Sequence, residues 1–159
     1  MLYPGLVSIT YRQCSPEQII APCRDNNLSA VEWGGDVHVP HGDLETAVKV
    51  AGMTRAAGLC MPSYGTYYKA GAYGDDSRAE FEKILRTANA LGTPSLRLWA
   101  GSKNSDDITK DERDILIREL RDCADMATEH GKIITFECHN GTLTNRAASA
   151  LAMIEEIGR

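Results

Sequence analysis

The sequence predicts an α/β protein built from parallel strands, and three observations carry that prediction. Five times along the chain a short apolar or β-branched run is followed by a segment whose apolar residues recur at helical spacing. Strands that alternate with helices pair in parallel through right-handed crossovers. The fifth run, Ile133 to Asn140, opens with four residues suited to a buried strand and then delivers Glu137, Cys138, His139 and Asn140 in succession. Polar groups at a strand mouth are where parallel α/β folds bind their ligands. The alternative is a solvated strand end turning at Asn140-Gly141.

The first unit begins with Gly5 to Thr10, short and β-branched-rich. Ser15-Pro16-Glu17 then starts a helix, with Ser15 as N-cap and Pro16 at the first helical position, running to about Asn26. Ala30 to Trp33 is the second strand, and a Gly-rich loop covers Gly34 to Gly42. Asp43 caps the next helix, with Leu44, Ala47, Val48 and Ala51 as its apolar stripe and Gly58 as its end. Leu59 to Ser63 is the third strand, and a long, tyrosine-rich loop runs from Tyr64 to Asp76. A helix follows from about Ser77 to Leu91. Leu96 to Trp99 is the fourth strand, and Gly101 to Ile108 is a polar loop. Thr109 caps a long helix with Ile115, Leu116, Leu120, Cys123 and Met126 on one face. The last helix starts near Thr144 and carries Ala147, Leu151, Ile154 and Ile157.

The chain has 159 residues, enough for one domain with a sizeable core, and residues 1–159 are read as a single domain. Its net charge of -5 and the lack of any Lys/Arg run argue against a nucleic-acid surface. Five cysteines without a C-x-x-C suit reduced thiols, so the expected location is cytoplasmic. No basic, apolar leader and no span-length apolar run is visible, and no membrane partner is expected. Asn140-Gly141-Thr142 has the form of a glycosylation acceptor and is taken as chance. The turn after the first strand, Tyr11-Arg12-Gln13-Cys14, has no glycine, and no phosphate-binding loop appears. An open doubly wound sheet and part of a (β/α)8 barrel, which takes about 250 residues when whole, remain as architectures.

Glu32-Trp33-Gly34-Gly35-Asp36, Leu96-Arg97-Leu98-Trp99-Ala100-Gly101 and Phe136-Glu137-Cys138-His139 occur in an order that resembles the N-terminal part of the xylose isomerase-like TIM barrels, the sugar phosphate isomerase/epimerase group. The resemblance covers essentially the whole chain and implies a partial (β/α)8 barrel of five βα units, with about three C-terminal units missing. It also implies a divalent metal (Mn, Mg, Co or Zn) in the full-length form, held by a Glu, an Asp, a His and a Glu from the fifth to eighth strands. Glu137 matches the first of these, and the other three have no counterpart here. The implied activity is isomerisation or epimerisation of a sugar or sugar phosphate through an enediolate, with Glu137 as a base and metal ligand. The metal would polarise the carbonyl while carboxylates move the proton. The relative that repairs DNA with histidines at the third and fourth strand ends is not matched, because those positions read Ser63-Tyr64 and Ala100-Gly101.

Around Glu137, the resemblance and the residue types give candidate substrate contacts at His38, Trp33, Trp99, His139 and Tyr64. His38 and His41 flank Pro40 with Asp36 and Asp43 nearby, a pattern that serves either a metal pair or a solvated loop. Trp33 and Trp99 are either walls of a sugar pocket or core. Glu32 and Arg97, charged residues within strands, are expected to pair with each other inside the barrel or near its mouth, in a structural role, because an unpaired buried charge costs several kcal/mol, of order 3–5. Five strands do not close an eight-stranded barrel, so the five units alone are expected to be inactive and to form a homo-oligomer through their open edges. The alternatives are a catalytically silent half-barrel acting as a structural or binding module, and a self-contained α/β binding domain.

Overall fold

The computed structural model describes residues 3–159. Five helices alternate with five strands in one sheet of order β1-β2-β3-β4-β5, the sequential order that βα units in parallel pairing produce. The strands are β1 (Gly5–Val7), β2 (Ala30–Gly34), β3 (Tyr64–Lys69), β4 (Ser95–Trp99) and β5 (Ile133–Phe136). The helices are α1 (Pro16–Asp25), α2 (Leu44–Ala56), α3 (Ser77–Leu91), α4 (Lys110–Glu129) and α5 (Ala147–Ile157). No helix among the described residues is long and apolar enough to cross a membrane. The protein divides into two compact units, one reaching to Thr66 and including Lys83–Leu96, the other holding Tyr67–Glu82 and Arg97–Arg159.

In the first unit, β1 pairs with β2 in parallel from Gly5 opposite Ala30 to Val7 opposite Glu32. β1 is shorter than its β-branched content suggests, because Ser8–Tyr11 tightens into a 3-10 turn. Helix α1 starts as its sequence requires. Ser15 Oγ accepts the Gln18 amide and the Gln18 side chain returns to the Ser15 amide, a capping box that satisfies two orphan donors. On α2 the buried residues are Ala47, Val50, Ala51 and Thr54, whereas Leu44 and Val48 are exposed. The true buried stripe is thus rotated from the one the spacing suggested, toward Trp33, whose indole N–H donates to Thr54 Oγ1 at 3.1 Å.

The third strand also departs from expectation. Ala30 bridges Cys60, but Trp33 pairs with Tyr64, so one extra residue sits in the third strand between the two pairings. Pro62 lies inside that bulge and has no N–H to give a ladder, which pushes regular pairing on to Tyr64. The predicted strand at Leu59 to Ser63 is therefore only its approach, and the first six residues of the predicted tyrosine loop are the strand.

In the second unit, α4 is capped by Thr109, whose hydroxyl accepts the Glu112 amide while the Glu112 carboxylate takes the Thr109 amide. Its buried face is Leu116, Ile117, Leu120, Cys123, Ala124, Met126 and Ala127, and Ile115 is left outside it. Tyr68 and Phe81 are fully buried together, with ring centroids 5.4 Å apart. Each such ring removed from water contributes roughly 2–3 kcal/mol. Arg121 donates to the carbonyls of Glu156 and Ile157, closing the C-terminus of α5. Strand β5 is not buried as expected: Ile133 is 63% exposed and no residue of the strand is fully buried. It stands last in the strand order, so among the described residues one side of it has no neighbouring strand.

Candidate functional site

Strand alternation builds the site in the second unit. Leu96 and Leu98 are wholly buried, so the residues between and after them, Arg97 and Trp99, share the opposite face of β4. The next strand ends at Phe136, and the Glu137 amide donates to Leu98 O at 3.2 Å, which brings the Glu137 carboxylate level with that face. Glu137 Oε2 accepts from Arg97 Nη1 and, at 2.8 Å, from Trp99 Nε1. The Arg97 and Glu137 side chains are 16% and 34% exposed, so the pair is partly desolvated and its charge-assisted bonds are the stronger for it.

Around this pair lies an aromatic wall. His139 stacks on Trp99 with centroids 4.6 Å apart and planes at 21°. Tyr67 tilts against Trp99 at 5.8 Å, the Arg97 guanidinium lies 5.6 Å from the Tyr67 ring centroid, and Lys69 Nζ lies 4.9 Å from that of Trp99. Tyr67 holds this place with φ of 57°, a left-handed conformation that costs a tyrosine energy. The His139 Nδ1 sits 2.5 Å from Asn140 O. A carbonyl only accepts, so Nδ1 carries a hydrogen, and the lone pair of the neutral ring falls on Nε2.

The loop that carries Glu137 and His139 is held from below. Thr144 Oγ1 donates to Glu137 O at 2.5 Å, Thr142 Oγ1 donates to His139 O at 2.7 Å, and the Leu143 amide donates to Ala100 O at 2.8 Å. All three residues are buried.

The other candidates lie in the first unit. Trp33 is wholly buried and bonded to Thr54. Tyr64 is wholly buried, and its hydroxyl donates to Val39 O at 2.6 Å. Burial, with the Asp36 charge adding to it, pushes the Tyr64 phenol well above its ordinary value. His38 is 5% exposed, with Nε2 3.2 Å from Cys14 O and Nδ1 2.9 Å from Ser8 Oγ. Nε2 must therefore donate and Nδ1 accept the Ser8 hydroxyl. His41 Nε2 donates to Thr66 O at 2.6 Å. The two histidines thus spend their Nε2 atoms on different carbonyls rather than on a shared ion. Among the described residues no group of three His, Cys, Asp or Glu side chains is arranged to hold a metal. Glu137 is the single carboxylate expected as a ligand, and one carboxylate does not hold a resident metal by itself.

Sequence reasoning singled out Glu137, Trp99 and His139, and the structure brings them together. It did not foresee Arg97 as the partner of Glu137, nor Tyr67 and Lys69 on the wall. A lone arginine inside an apolar strand was the available signal.

Comparison with known proteins bears on this arrangement. The family model described as the xylose isomerase-like TIM barrel matches residues 20–159. A curated 3-dehydroshikimate dehydratase from Bacillus anthracis is 29% identical over 86 residues, covering 50% of this chain and 31% of the relative. The structure described as the probable 3-DHS dehydratase AsbF, involved in petrobactin synthesis in Bacillus anthracis, superposes with a TM-score of 0.86 at 22% identity. A D-allulose 3-epimerase from a Methylomonas species superposes with a TM-score of 0.76 at 16% identity. An IolI protein that binds a zinc atom gives 0.80 at 14%. Each of these three covers 99% of this chain and 60% of the solved protein. At such identities the solved structures speak for the fold alone, and this chain spans well under two thirds of the barrels it matches.

Proposed function

Since the chain belongs to the xylose isomerase-like TIM-barrel family, we propose that it supplies the first five βα units of an enzyme that removes a proton from the carbon beside a carbonyl. The observation that carries this reading is the Glu137 carboxylate at the end of β5, oriented by Arg97 and Trp99 and flanked by the stacked His139. A carboxylate held by two donors on Oε2 keeps its geometry and leaves Oε1 for a further partner. In the completed barrel Glu137 would be a base and one ligand of a divalent metal (Mn, Mg, Co or Zn), with the other ligands coming from outside these residues, and such a metal would supply polarisation of a carbonyl oxygen. In this reading His139 Nε2 would take or return a proton, and the stacked Trp99 and His139 would form an apolar wall for the substrate carbons. His38, Trp33 and Tyr64, buried with their polar atoms satisfied, serve by fixing the first unit's loop after β2.

The fate of the resulting enediolate sets the product. Protonation at the neighbouring carbon isomerises a sugar, protonation from the other face epimerises it, and loss of a hydroxyl from the adjacent carbon dehydrates it. The sequence resemblance and the family membership favour sugar or sugar-phosphate isomerisation or epimerisation. The curated relative supports dehydration, of a substrate such as 3-dehydroshikimate, as the second outcome. Deuterium incorporation from heavy water separates them: isomerase or epimerase action labels recovered sugar, and dehydratase action converts 3-dehydroshikimate with loss of water. In a barrel-completing form of the protein Glu137→Gln is expected to abolish turnover and weaken metal binding. Retained turnover would refute the role of Glu137.

A catalytically silent half-barrel that associates with its own copies is supported by the exposed Ile133, Leu151 and Ile154 around the end strand and last helix. The five unpaired thiols suit a reducing cytoplasm.

A further inference from the structure

The Asn140-Gly141 pair lies at the rim of the site, between His139 and the buried Thr142. An asparagine followed by glycine is chemically labile. The Gly141 amide nitrogen attacks Asn140 Cγ and a C–N bond forms. The bond from Cγ to the Asn140 amide nitrogen Nδ2 then breaks, and ammonia leaves. Water opens the five-membered imide at either carbonyl, giving aspartate or isoaspartate. Glycine permits this because no Cβ crowds the attacking nitrogen. Here Gly141 has φ of 78°, and a Cβ built on it would meet nothing within 4 Å. Asn140 itself is exposed to water.

The attacking nitrogen, however, is tied. The Gly141 N–H donates to Asn104 Oδ1 at 2.7 Å. Asn104 is oriented for this by its own Nδ2, which donates to Asp107 Oδ2 at 3.0 Å. A second bond, from the Ser105 amide to Asn145 Oδ1 at 3.1 Å, holds the same two loops together. The attack needs the amide to lose its proton and to swing toward Cγ, and the bond to Asn104 opposes both.

We propose that Asn140 is a deamidation site at the rim of the candidate active site, and that Asn104 is the brake on it. Conversion places a carboxylate, or a backbone longer by one carbon, directly after the His139 that stacks on Trp99. The released ammonia is lost to solvent, so the change does not reverse.

The test follows the one-dalton mass gain and the isoaspartate content of the peptide containing Asn140 during incubation at neutral and alkaline pH. The native protein is expected to deamidate there about tenfold more slowly than the same protein unfolded in urea. That factor corresponds to about 1.4 kcal/mol, the size of one net hydrogen bond. Asn104→Ala is expected to bring the native rate close to the unfolded one. Asn104→Asp, which keeps an acceptor oxygen, is expected to stay slow. The rate at Asn26 in the same samples reports whether a variant has loosened generally. Equal native and unfolded rates in the unmodified protein, or an Asn104→Ala rate at Asn140 that stays slow while the fold is retained, overturns the proposal.

Discussion

At the residue scale, the pair Arg97–Glu137 decides most of what the site can do. Its carboxylate is engaged by a guanidinium and an indole before any ligand arrives. Glu137→Gln in this chain removes the charge and leaves Arg97 partly buried opposite a neutral amide. Because Glu137 is a third exposed, the loss is expected to be about 2 kcal/mol, below the range for a fully buried pair. Urea unfolding measures it, and an unchanged midpoint would show that the pair contributes nothing to folding. Tyr67 gives a second residue-scale prediction. In ordinary backbone, glycine is less stable than alanine. At φ of 57° the order should reverse, with Tyr67→Gly more stable than Tyr67→Ala by about 1 kcal/mol. Glu137, Trp99 and His139 were legible because strand-end chemistry shows in the sequence. Tyr67 and Lys69 were not, because their place depends on where β3 begins. The burial of Trp33, Tyr64 and His38 was equally hidden, since an aromatic at a strand end reads the same in a pocket wall and in a core.

At the element scale, the helix starts were the most legible features, since capping residues act locally and need no tertiary information. Ser15 and Thr109 both close capping boxes. Their partners titrate accordingly. The Lys103 ammonium first, and then the amide and hydroxyl of Thr109, hold the Glu112 carboxyl down at about 2 from 4.5. Glu17 on α1 is likewise lowered to about 2, chiefly by backbone hydrogen bonding. The folded values lie below the unfolded ones, so the folded state binds fewer protons. The stabilisation is present above pH 4.5 and lost as pH falls toward 2. Helix stability followed by circular dichroism against pH should decline across that window, and Glu112→Gln should flatten the part due to α4. The stripes of α2 and α5 were read less well. Their 3.6-residue spacing admits two adjacent faces, and only packing chooses between Val48, exposed, and Val50, buried.

For the whole molecule, five βα units in sequential order followed from strand–helix alternation alone. What alternation does not convey is how much of a strand is covered. Ile134, Phe136, Ile154 and Ile157 line a groove of about 330 Å³ beside β5 and α5. Light scattering is expected to find an assembly larger than the monomer, with Ile154→Glu shifting it toward monomer. A monomer at every concentration would remove the silent self-associating reading. The thiols report on folding of each unit. Cys60 and Cys138 are exposed and should react with a thiol reagent at once. Cys23 and Cys123 are buried, one in each unit, and should react only on unfolding. Burial, reinforced by the Glu119 charge, pushes the Cys123 thiol up to about 12, which slows it further.

The extra residue between Cys60 and Tyr64 carries a last consequence. Beyond it Tyr64, Thr66 and Tyr68 are buried, while Tyr67 and Lys69 are only half-buried. The extra residue acts as a spacer: with it removed, three steps on the third strand would match the three from Ala30 to Trp33, and Tyr64 would keep its partner in plain register. A residue added within β3 itself, between Thr66 and Tyr67, would instead exchange odd for even beyond it, turning Tyr68 outward and Tyr67 inward without a single substitution.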